Sequence, residues 1–503
     1  MDTLLSCALT VLVLGFLLWN ITGYPTASDD EGTYLAQAWA VQHLQGLTHY
    51  TYWYDHPPLG WIQLAAASWI PATLLPDALA VGAGRLAMVP VVAVSLMLVY
   101  RLGRRLGFTR WAAALALLLY GFSPLSMTMM RQIYLDSFAV MWILAALVLG
   151  LSPRRHLWHY VAAGVAVALA VLSKETIVVV APAVVLALWQ NAARTSTRPW
   201  ALGGFVSGVV LVGAFYPLYA MLKGELLPGD DHVSLISAWQ FQLAHRAGSG
   251  SILVPGTNSN ELLDSWLYYD PVLPVGGMAA TLVALAVRRL RTPAVAAALL
   301  ALVALRPGGY LPAMYVVQAL PFVAIVLAGV IELVVGWVLA TRKQVTDGTR
   351  VRPRLLRWAA LTLAVLLAAA YVAPRWYEGD RRALVSDDNG TYRAAASWLR
   401  GAMPDRAHTT VVVDDVLWLD LVTGGYQRDR VIWFYKLDLD PGVGARFPDG
   451  WRGIDYIVST PAIRQHPESL PTVAALLSHS TVAQTFGSGS GRIEIRRISK
   501  EEA

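Results

Sequence analysis

Charged side chains and cysteines are the residues that this sequence has least of. Only 14% of its 503 residues are charged, whereas soluble domains carry about 25%. Hydrophobic residues make up 56% of the chain, and the mean hydropathy is +0.50. The single cysteine, Cys7, excludes an intrachain disulfide framework. The scarcity of charge excludes an ordinary soluble protein, so we expect membrane lipid, and no nucleic acid, among its partners.

The first apolar segment, residues 4–21, has no basic residue before it, because Asp2 is the only early charge. Secretory signal peptides begin with a basic region, and here many further apolar segments follow. We therefore expect a retained first membrane helix rather than a cleaved signal.

Apolar runs long enough to cross a bilayer recur through most of the chain. A membrane helix needs roughly 20 apolar residues, and about eleven segments qualify, some of them short. Residues 59–76 are also apolar, but their prolines and tryptophans favour an interfacial or re-entrant helix. The predicted spans are 4–21, 81–100, 111–128, 134–151, 159–172, 176–190, 201–220, 272–287, 293–305, 311–339 and 357–374.

Lysine and arginine are absent between Gly23 and Gly84 and concentrate in every second loop. The positive-inside rule assigns the basic loops to the cytoplasm. We predict a multi-pass inner (plasma) membrane protein with a cytoplasmic N-terminus, outer segments 22–80 and 221–270, and an extracytoplasmic tail. The basic loops hold Arg101, Arg104, Arg105 and Arg110; Arg154 and Arg155; Arg194 and Arg198; Arg288, Arg289 and Arg291; and Arg342, Lys343, Arg350, Arg352, Arg354 and Arg357.

The composition changes after Pro374, where short runs predict strands alternating with helices. The glycines and serines of 487–491 predict a hairpin turn between the last two strands. We therefore predict a polytopic α-helical membrane domain over residues 1–374 and an extracytoplasmic α/β domain over 375–503. The predicted strands are 409–414, 430–435, 454–459, 481–486 and 492–498, and the predicted helices are 391–401, 415–423 and 468–479.

Three consecutive acids, Asp29, Asp30 and Glu31, lie in the first outer segment. In a loop they could converge on a cation or a hydroxyl group. Alternatively, Ser28 or Asp29 caps a helix whose dipole favours acids in its first turn. The two interpretations are compatible, and the pattern alone does not choose between them.

The same outer segment carries a second polar motif at Asp55 and His56. The Pro57-Pro58 pair that follows fixes the backbone at these two residues. The adjacent Tyr52 and Trp53 could stack on a sugar or belong to an interfacial aromatic belt.

Four more charged residues lie at predicted outer helix ends. Arg131 and Asp136 flank the turn before the fourth span, where an ionisable group is a functional candidate or half of a structural pair. Lys174 and Arg306 suit a phosphate whose lipid tail stays in the bilayer, although such side chains also reach for lipid headgroups.

Three features of the outer regions have ordinary explanations. Segment 221–270, with Asp230 and Asp231, is too long for a plain connector and is either a mobile lid or a disordered loop. The Asp414-Asp415 pair is explained by helix capping. The tripeptide Asn389-Gly-Thr391 matches a glycosylation sequon, a pattern that often occurs by chance.

The ordered set of motifs resembles the GT-C superfamily of glycosyltransferases that use polyprenyl-phosphate sugars. The similarity is closest to the branch of protein O-mannosyltransferases and lipid A aminoarabinose transferases, over roughly residues 1–340. His56 stands where the aminoarabinose transferases usually carry a lysine, and the tail differs from the soluble module of the eukaryotic mannosyltransferases. The matching pieces are Asp30-Glu31 with Gly32 and Tyr34, His56-Pro57-Pro58-Leu59, Gly84-Arg85-Leu86, Arg131 to Asp136, Leu172-Ser173-Lys174, and Tyr315 to Pro321.

The resemblance implies an inverting transfer of a hexose or pentose from a polyprenyl phosphate to a hydroxyl of a protein, lipid or glycan. Asp30 matches the family's catalytic acid and is the expected general base, with Glu31 and Asp136 as further catalytic candidates. A divalent cation, Mg or Mn, is expected on Asp29 and Asp30 if one is used. The expected phosphate ligands are His56, Lys174, Arg306 and Arg131, and the expected supporting residues are Arg85, Asp55 and Tyr34.

Two other classes of protein compete with the enzyme. A transporter or flippase of lipid-linked sugars would also place charges at helix ends, but transporters usually show inverted repeats and broken helices, which this sequence does not. A scaffold that presents the tail to a partner leaves the charged outer segment unexplained.

Overall fold

The computed structural model describes residues 1–45, 54–76, 78–192, 195–229, 232–306, 308–340, 351–403, 405–465 and 467–500. These residues fall into two units, described separately below. The first unit is Met1–Trp19, Pro90–Met130 and Leu135–Val385, and the second is Asn20–Val89, Arg131–Tyr134 and Ser386–Ala503. Residues 20–89 belong to the same unit as residues 386–503, and the predicted domain boundary at residue 374 stays a prediction.

The first unit is built from apolar helices. Their cores contain long runs of alanine, valine and leucine, which satisfy their backbone hydrogen bonds within the helix as a bilayer requires. The helices are Asp2–Leu18, Val89–Arg105, Arg110–Phe122, Pro124–Met130, Leu135–Gly150, Leu157–Ser173, Ala181–Asn191, Arg198–Gly213, Phe215–Leu222, Leu235–Gln240, Asn258–Tyr269, Val272–Ala286, Arg291–Ala304, Val316–Ala340 and Val351–Val385.

Within the described residues, four helices are long and apolar enough to cross a membrane, or six if each of two bent pairs is one span. Each predicted span coincides with one of these helices, with a bent pair, or with a shorter apolar helix. The four are Ala80–Arg105, Arg198–Leu222, Ala313–Val338 and Arg357–Ala402; the bent pairs are Arg110–Phe122 with Pro124–Met130 and Asn258–Tyr269 with Val272–Ala286; the shorter helices are Asp2–Leu18, Leu135–Gly150, Leu157–Ser173, Glu175–Asn191 and Arg291–Ala304.

Glycines bring two helices of the first unit into backbone contact. A Cβ atom on Gly164 would lie 2.0 Å from the carbonyl oxygen of Phe205, and one on Gly208 would lie 2.4 Å from that of Val161. Small residues at such a crossing are typical of helix pairs in membranes, where close packing replaces the hydrophobic effect as the source of stability.

The two bends of the first unit are tied to each other by Ser123 and Asp270. The helix direction changes by 66° at the first bend and by 104° at the second. The Ser123 hydroxyl donates to Asp270 Oδ2 over 2.6 Å, and Asp270 Oδ1 accepts from the amide of Val272 over 2.7 Å. The buried carboxylate therefore satisfies backbone groups that the second bend exposes.

The long segment 221–270, which is predicted to lie outside the membrane, contains regular structure in its described part. It forms the helices Leu235–Gln240 and Asn258–Tyr269, with a π-helical turn at Phe241–His245 between them. A fully disordered loop is therefore not what the chain adopts here. Its predicted role as a lid stays a prediction, and Asp230 and Asp231 lie outside the described residues.

The second unit combines residues 20–89 and 131–134 with the tail from residue 386 onward. The prolines and apolar residues after position 58 form a helix, as predicted, at Leu59–Leu74. The other helices of this unit are Asp29–Gln42, Ala80–Gly84, Gly390–Ala402, Asp415–Thr423, Lys436–Leu439, Pro441–Gly444, Pro461–Gln465 and Pro471–Ser478.

A five-stranded sheet with the order β2-β1-β3-β5-β4 forms the core of the tail. β1 is parallel to β2 and β3, and the antiparallel pair β4 and β5 extends the sheet beyond β3. Both the predicted alternation of strands with helices and the predicted hairpin after residue 486 are confirmed. The strands are β1 Val411–Val413, β2 Val431–Trp433, β3 Tyr456–Ser459, β4 Ser480–Phe486 and β5 Ile493–Ile498.

Candidate active site

The acidic triplet opens a helix, Asp29–Gln42, which we call the acid helix. Ser28 is its N-cap, and the Ser28 amide donates to Glu31 Oε2 over 3.1 Å in a capping box. The capping interpretation of the triplet is therefore confirmed. A capping box satisfies amides that the first turn leaves without helical partners, and it fixes where the helix starts.

Glu31 forms a buried ion pair with Arg85. Nε and Nη2 of Arg85 each donate over 2.8 Å to one carboxylate oxygen, and both side chains are 0% exposed. The amide of Ile133 donates to Oε1 over 3.0 Å. Each Glu31 oxygen thus accepts two hydrogen bonds, counting that from Ser28. This geometry disfavours Glu31 among the predicted bases, because an acceptor hydroxyl would find neither a free oxygen nor a path to it.

Arg85 reaches from this pair to the chain just before the acid helix. Its Nη1 donates to the carbonyl oxygens of Pro25, over 2.8 Å, and Ile21, over 3.2 Å. The guanidinium thereby holds both the first turn of the acid helix and the segment that leads into it. The predicted supporting role of Arg85 in the site stays a prediction.

Asp29 and Asp30 lie in the first turn of the acid helix and are half-buried. Burial, followed by the charges of Asp414 and Asp30, raises the pKa of Asp29 to about 7. The Asp29 carboxyl therefore still carries a proton part of the time at neutral pH. Asp29, which adjoins the predicted base Asp30, is thus only partly ionised at that pH.

The neighbours of Asp29 include two acids of the tail that the sequence did not assign to a site. Asp414 caps the helix Asp415–Thr423 by accepting from the amide of Leu417 over 3.1 Å, as predicted. Burial raises the pKa of Asp415 well above its ordinary value, and the charges of Asp29 and Asp414 add to the effect. No local pattern in either stretch indicates that they pack together.

Gly32 allows the backbone of the acid helix to touch that of the tail. A Cβ atom at this position would lie 2.1 Å from the carbonyl oxygen of Asp415 and 2.7 Å from the amide nitrogen of Val416. Trp39, two turns along the acid helix, packs edge-on against Trp418, with ring centroids 5.6 Å apart. The acid helix and the helix Asp415–Thr423 are therefore closely packed along their lengths.

His56, Asp55 and Tyr34 lie near one another in the second unit. Nε2 of His56 lies 3.6 Å from Oδ2 of Asp55, whose side chain is 60% exposed while that of His56 is 10% exposed. The rings of Tyr34 and His56 have centroids 6.2 Å apart. Pro58 precedes the helix Leu59–Leu74 as its N-cap. The aromatic residues Tyr52 and Trp53 lie outside the described residues.

Arg131 also belongs to the second unit and is fully buried. Its guanidinium lies 5.8 Å from the centre of the Tyr24 ring, within the range of a cation–π contact. Tyr24 lies directly before Pro25, to which Arg85 donates. The predicted phosphate-binding role of Arg131 stays a prediction.

The other predicted site residues, Asp136, Lys174 and Arg306, belong to the first unit. Asp136 is buried in the first turn of Leu135–Gly150, where Oδ1 accepts from Gln318 Nε2 over 2.6 Å. Lys174 is 3% exposed and follows the helix Leu157–Ser173 as its C-cap. Arg306 is exposed, beyond the end of Arg291–Ala304. Their predicted roles stay predictions.

Metal binding was predicted for Asp29 and Asp30. Within the part of the chain that the structure describes, no group of three or more His, Cys, Asp or Glu side chains is arranged to hold a metal ion. Mg and Mn prefer several oxygen donors. Binding of either ion by Asp29 and Asp30 therefore stays a prediction.

The chain is similar in sequence and in fold to known proteins. Residues 55–217 match the family model of dolichyl-phosphate-mannose-protein mannosyltransferases. No curated protein sequence matched the chain. Among solved structures, ArnT from Cupriavidus metallidurans bound to undecaprenyl phosphate is similar with a TM-score of 0.61 and 16% identity, over 98% of this chain and 97% of ArnT. The oligosaccharyltransferase of Archaeoglobus fulgidus is similar with a TM-score of 0.54 and 14% identity, over 95% of this chain and 71% of that one.

The family match over residues 55–217 and the shared fold confirm the predicted resemblance to the GT-C glycosyltransferases. The chain thus shares the fold of these membrane glycosyltransferases, and residues 55–217 are similar to the mannosyltransferase family. The transporter alternative finds no support among these matches. At identities of 16% and below, these two structures show the shared fold.

Proposed function

We propose that this protein is a glycosyltransferase that moves a sugar, with inversion, from a polyprenyl phosphate to an acceptor hydroxyl on the extracytoplasmic face. The observation that carries the proposal is the first turn of the acid helix, where a buried Glu31–Arg85 pair fixes the backbone and leaves Asp30 half-buried beside it. A carboxylate that is held in place but not buried is what general-base catalysis requires.

The chemistry assigned to Asp30 is the removal of the acceptor's proton. The acceptor oxygen forms a bond to the anomeric carbon while the bond from that carbon to the phosphate oxygen breaks. The proton passes to the Asp30 carboxylate, and the electron pair leaves with the polyprenyl phosphate. A positioned base of this kind contributes roughly 10²–10⁴ to the rate.

The leaving phosphate needs cations, and we propose His56, Arg131, Lys174 and Arg306 for this role. Fixed positive charges stabilise a developing phosphate charge more than the substrate, and so they lower the barrier. Support for a lipid donor comes from ArnT, which was crystallised with undecaprenyl phosphate, and from the archaeal oligosaccharyltransferase AglB, solved with a dolichol-phosphate.

For the membrane topology we propose eleven spans, an inner-membrane location, a cytoplasmic N-terminus and an extracytoplasmic tail. The long, bent and shorter apolar helices coincide one by one with the predicted segments. The basic loops at alternate ends support the orientation. The helix Leu59–Leu74 then lies in the outer segment without crossing the bilayer.

The proposal is tested with purified protein and a panel of radiolabelled sugars on undecaprenyl and dolichyl phosphates. Membrane extract supplies the acceptors, and transfer is measured as label in the protein, lipid or glycan fraction. Transfer identifies both the donor and the acceptor class. If label never leaves the lipid, while the protein moves the intact lipid-linked sugar across a vesicle bilayer, a flippase replaces the enzyme.

A further inference from the structure

The segment that leads into the acid helix lies along the start of the tail. Nδ2 of Asn20 donates to the carbonyl oxygen of Ser386 over 2.7 Å, and the amide of Asp388 donates to that of Gly23 over 2.9 Å. These contacts join residues more than 360 positions apart in the sequence. The start of the acid helix thus depends on a part of the chain that the spans separate from it.

Asn389 makes the most specific of these contacts. Its Nδ2 donates to the carbonyl oxygens of Thr22, over 3.1 Å, and Pro25, over 2.9 Å, and its Oδ1 accepts from the amide of Ala27 over 2.8 Å. The residue is 1% exposed. Both amide hydrogens and the amide oxygen are therefore engaged, and the sequon Asn389-Gly-Thr391 offers no accessible nitrogen for a glycan.

The direction of this side chain is informative, because Asn389 is also the N-cap residue of the helix Gly390–Ala402. Asparagine is a favoured N-cap, since its side chain can accept from the first free amides. Here it makes no side-chain cap to its own helix. Its hydrogen bonds go instead to the backbone of Thr22, Pro25 and Ala27, which precede Ser28.

The carbonyl oxygen of Pro25 receives two buried donors. One is Nδ2 of Asn389, over 2.9 Å, and the other is Nη1 of Arg85, over 2.8 Å. Arg85 also holds Glu31 in the first turn of the acid helix. The backbone is therefore fixed on both sides of Asp30: by Glu31 immediately after it, and by Ala27 three residues before it.

We propose that Asn389 is a positioning residue for catalysis, which holds the segment 22–27 so that Asp30 is presented at the start of the acid helix. The inference rests on the proposed function of Asp30 as the general base. It gives the tail a part in the reaction, because its first helix supplies the group that fixes the base. A base displaced by about 1 Å can lose about 10² in rate.

The variant Asn389→Asp tests this role with almost no change in volume. One oxygen can still accept from Ala27, but the other replaces the donor that faces the carbonyl oxygens of Thr22 and Pro25. We expect kcat to fall about 10–100-fold, while the donor KM changes less than about threefold, because the phosphate ligands are other residues. Asn389→Ala should give a similar loss of kcat.

Asn191 offers a matched control in the first unit. Its Nδ2 also donates to two backbone carbonyl oxygens, those of Gly150 over 2.9 Å and Ser152 over 2.8 Å. Asn191→Asp breaks hydrogen bonds of the same kind, and its side chain makes them far from the segment 22–27 in the sequence. It should leave kcat near the wild-type value whatever its effect on Tm.

Hydrogen exchange of the segment 20–31, measured on the same proteins, separates positioning from activity. The proposal predicts faster exchange there in Asn389→Asp than in Asn191→Asp, together with the selective loss of kcat. Unchanged exchange, or equal kcat in the two variants, overturns the inference while wild-type transfer stands. Absence of transfer by the wild type with any donor instead overturns the proposed function, and the catalytic role of Asn389 with it.

Discussion

The buried Glu31–Arg85 pair supports a quantitative prediction for Glu31→Gln. The two oxygens of Glu31 face different donors: Oε1 faces Arg85 Nε and the amide of Ile133, and Oε2 faces Arg85 Nη2 and the amide of Ser28. A glutamine amide, whichever way it turns, places its NH₂ group against two of these four donors. It also leaves the arginine charge buried without a counter-charge.

Removing one partner of a buried ion pair costs about 3–5 kcal/mol. For a unit of this size, that loss corresponds to a fall in Tm of about 10 °C. Thermal unfolding in detergent, followed by tryptophan fluorescence, measures it. Because glutamine is accepted at this position of a capping box, the loss reports on the ion pair rather than on the cap.

A solvent-exposed pair provides the control. Arg381 donates to both oxygens of Glu378, each over 3.1 Å, and the two side chains are more than half exposed. Water screens such a pair, so Glu378→Gln should leave Tm nearly unchanged. If Glu31→Gln lowers Tm no more than Glu378→Gln does, the buried pair does not hold the first turn of the acid helix as we describe.

Two further predictions concern the packing and the acids of the second unit. Gly32→Ala places a Cβ atom 2.1 Å from the Asp415 carbonyl oxygen, so it should cost about 1–3 kcal/mol or more, whereas Gly15→Ala, with nothing within 4 Å of the added atom, should be silent in the same unfolding assay. Burial raises the pKa of Asp420 from 3.8 to about 7, so the folded state retains a proton there that the unfolded state loses, and the stability contributed by this group falls as pH rises through that window. Asparagine cannot ionise and can still accept from the amide of Ala80. The free energy of unfolding of Asp420→Asn, relative to that of wild type, should therefore rise by on the order of 4 kcal/mol between pH 4 and pH 8. An equal difference in Tm at pH 4 and pH 8 would contradict this.

Local patterns in the sequence predicted the helices and strands of this chain well. Apolar runs near the length of a bilayer located the apolar helices, and short runs around Val411–Val413 and Ile493–Ile498 located strands of the sheet. The capping box at Ser28 and Glu31 follows from residues three apart on one turn. Each of these features depends on residues that are close in the sequence, and so the local sequence is enough to predict it.

The composition of the acid site could not be predicted in the same way. Asp414, Asp415 and Asn389 reach the acid helix from more than 350 residues away, and nothing in their local sequence indicates a partner there. The sequence assigned helix capping to the Asp414-Asp415 pair, which is correct for Asp414, and a chance sequon to the asparagine. Glu31 looked as available as Asp30, because only the fold shows that Arg85 occupies both of its oxygens.

The most direct test of the account is the single-turnover rate of sugar transfer at saturating donor in wild type and in Asp30→Asn. Asp449→Asn, which alters an exposed aspartate of the tail, serves as the matched control. The account predicts that Asp30→Asn slows transfer at least about 100-fold with donor binding intact, and that Asp449→Asn transfers at the wild-type rate. A rate for Asp30→Asn within a few fold of wild type would show that the base is another residue.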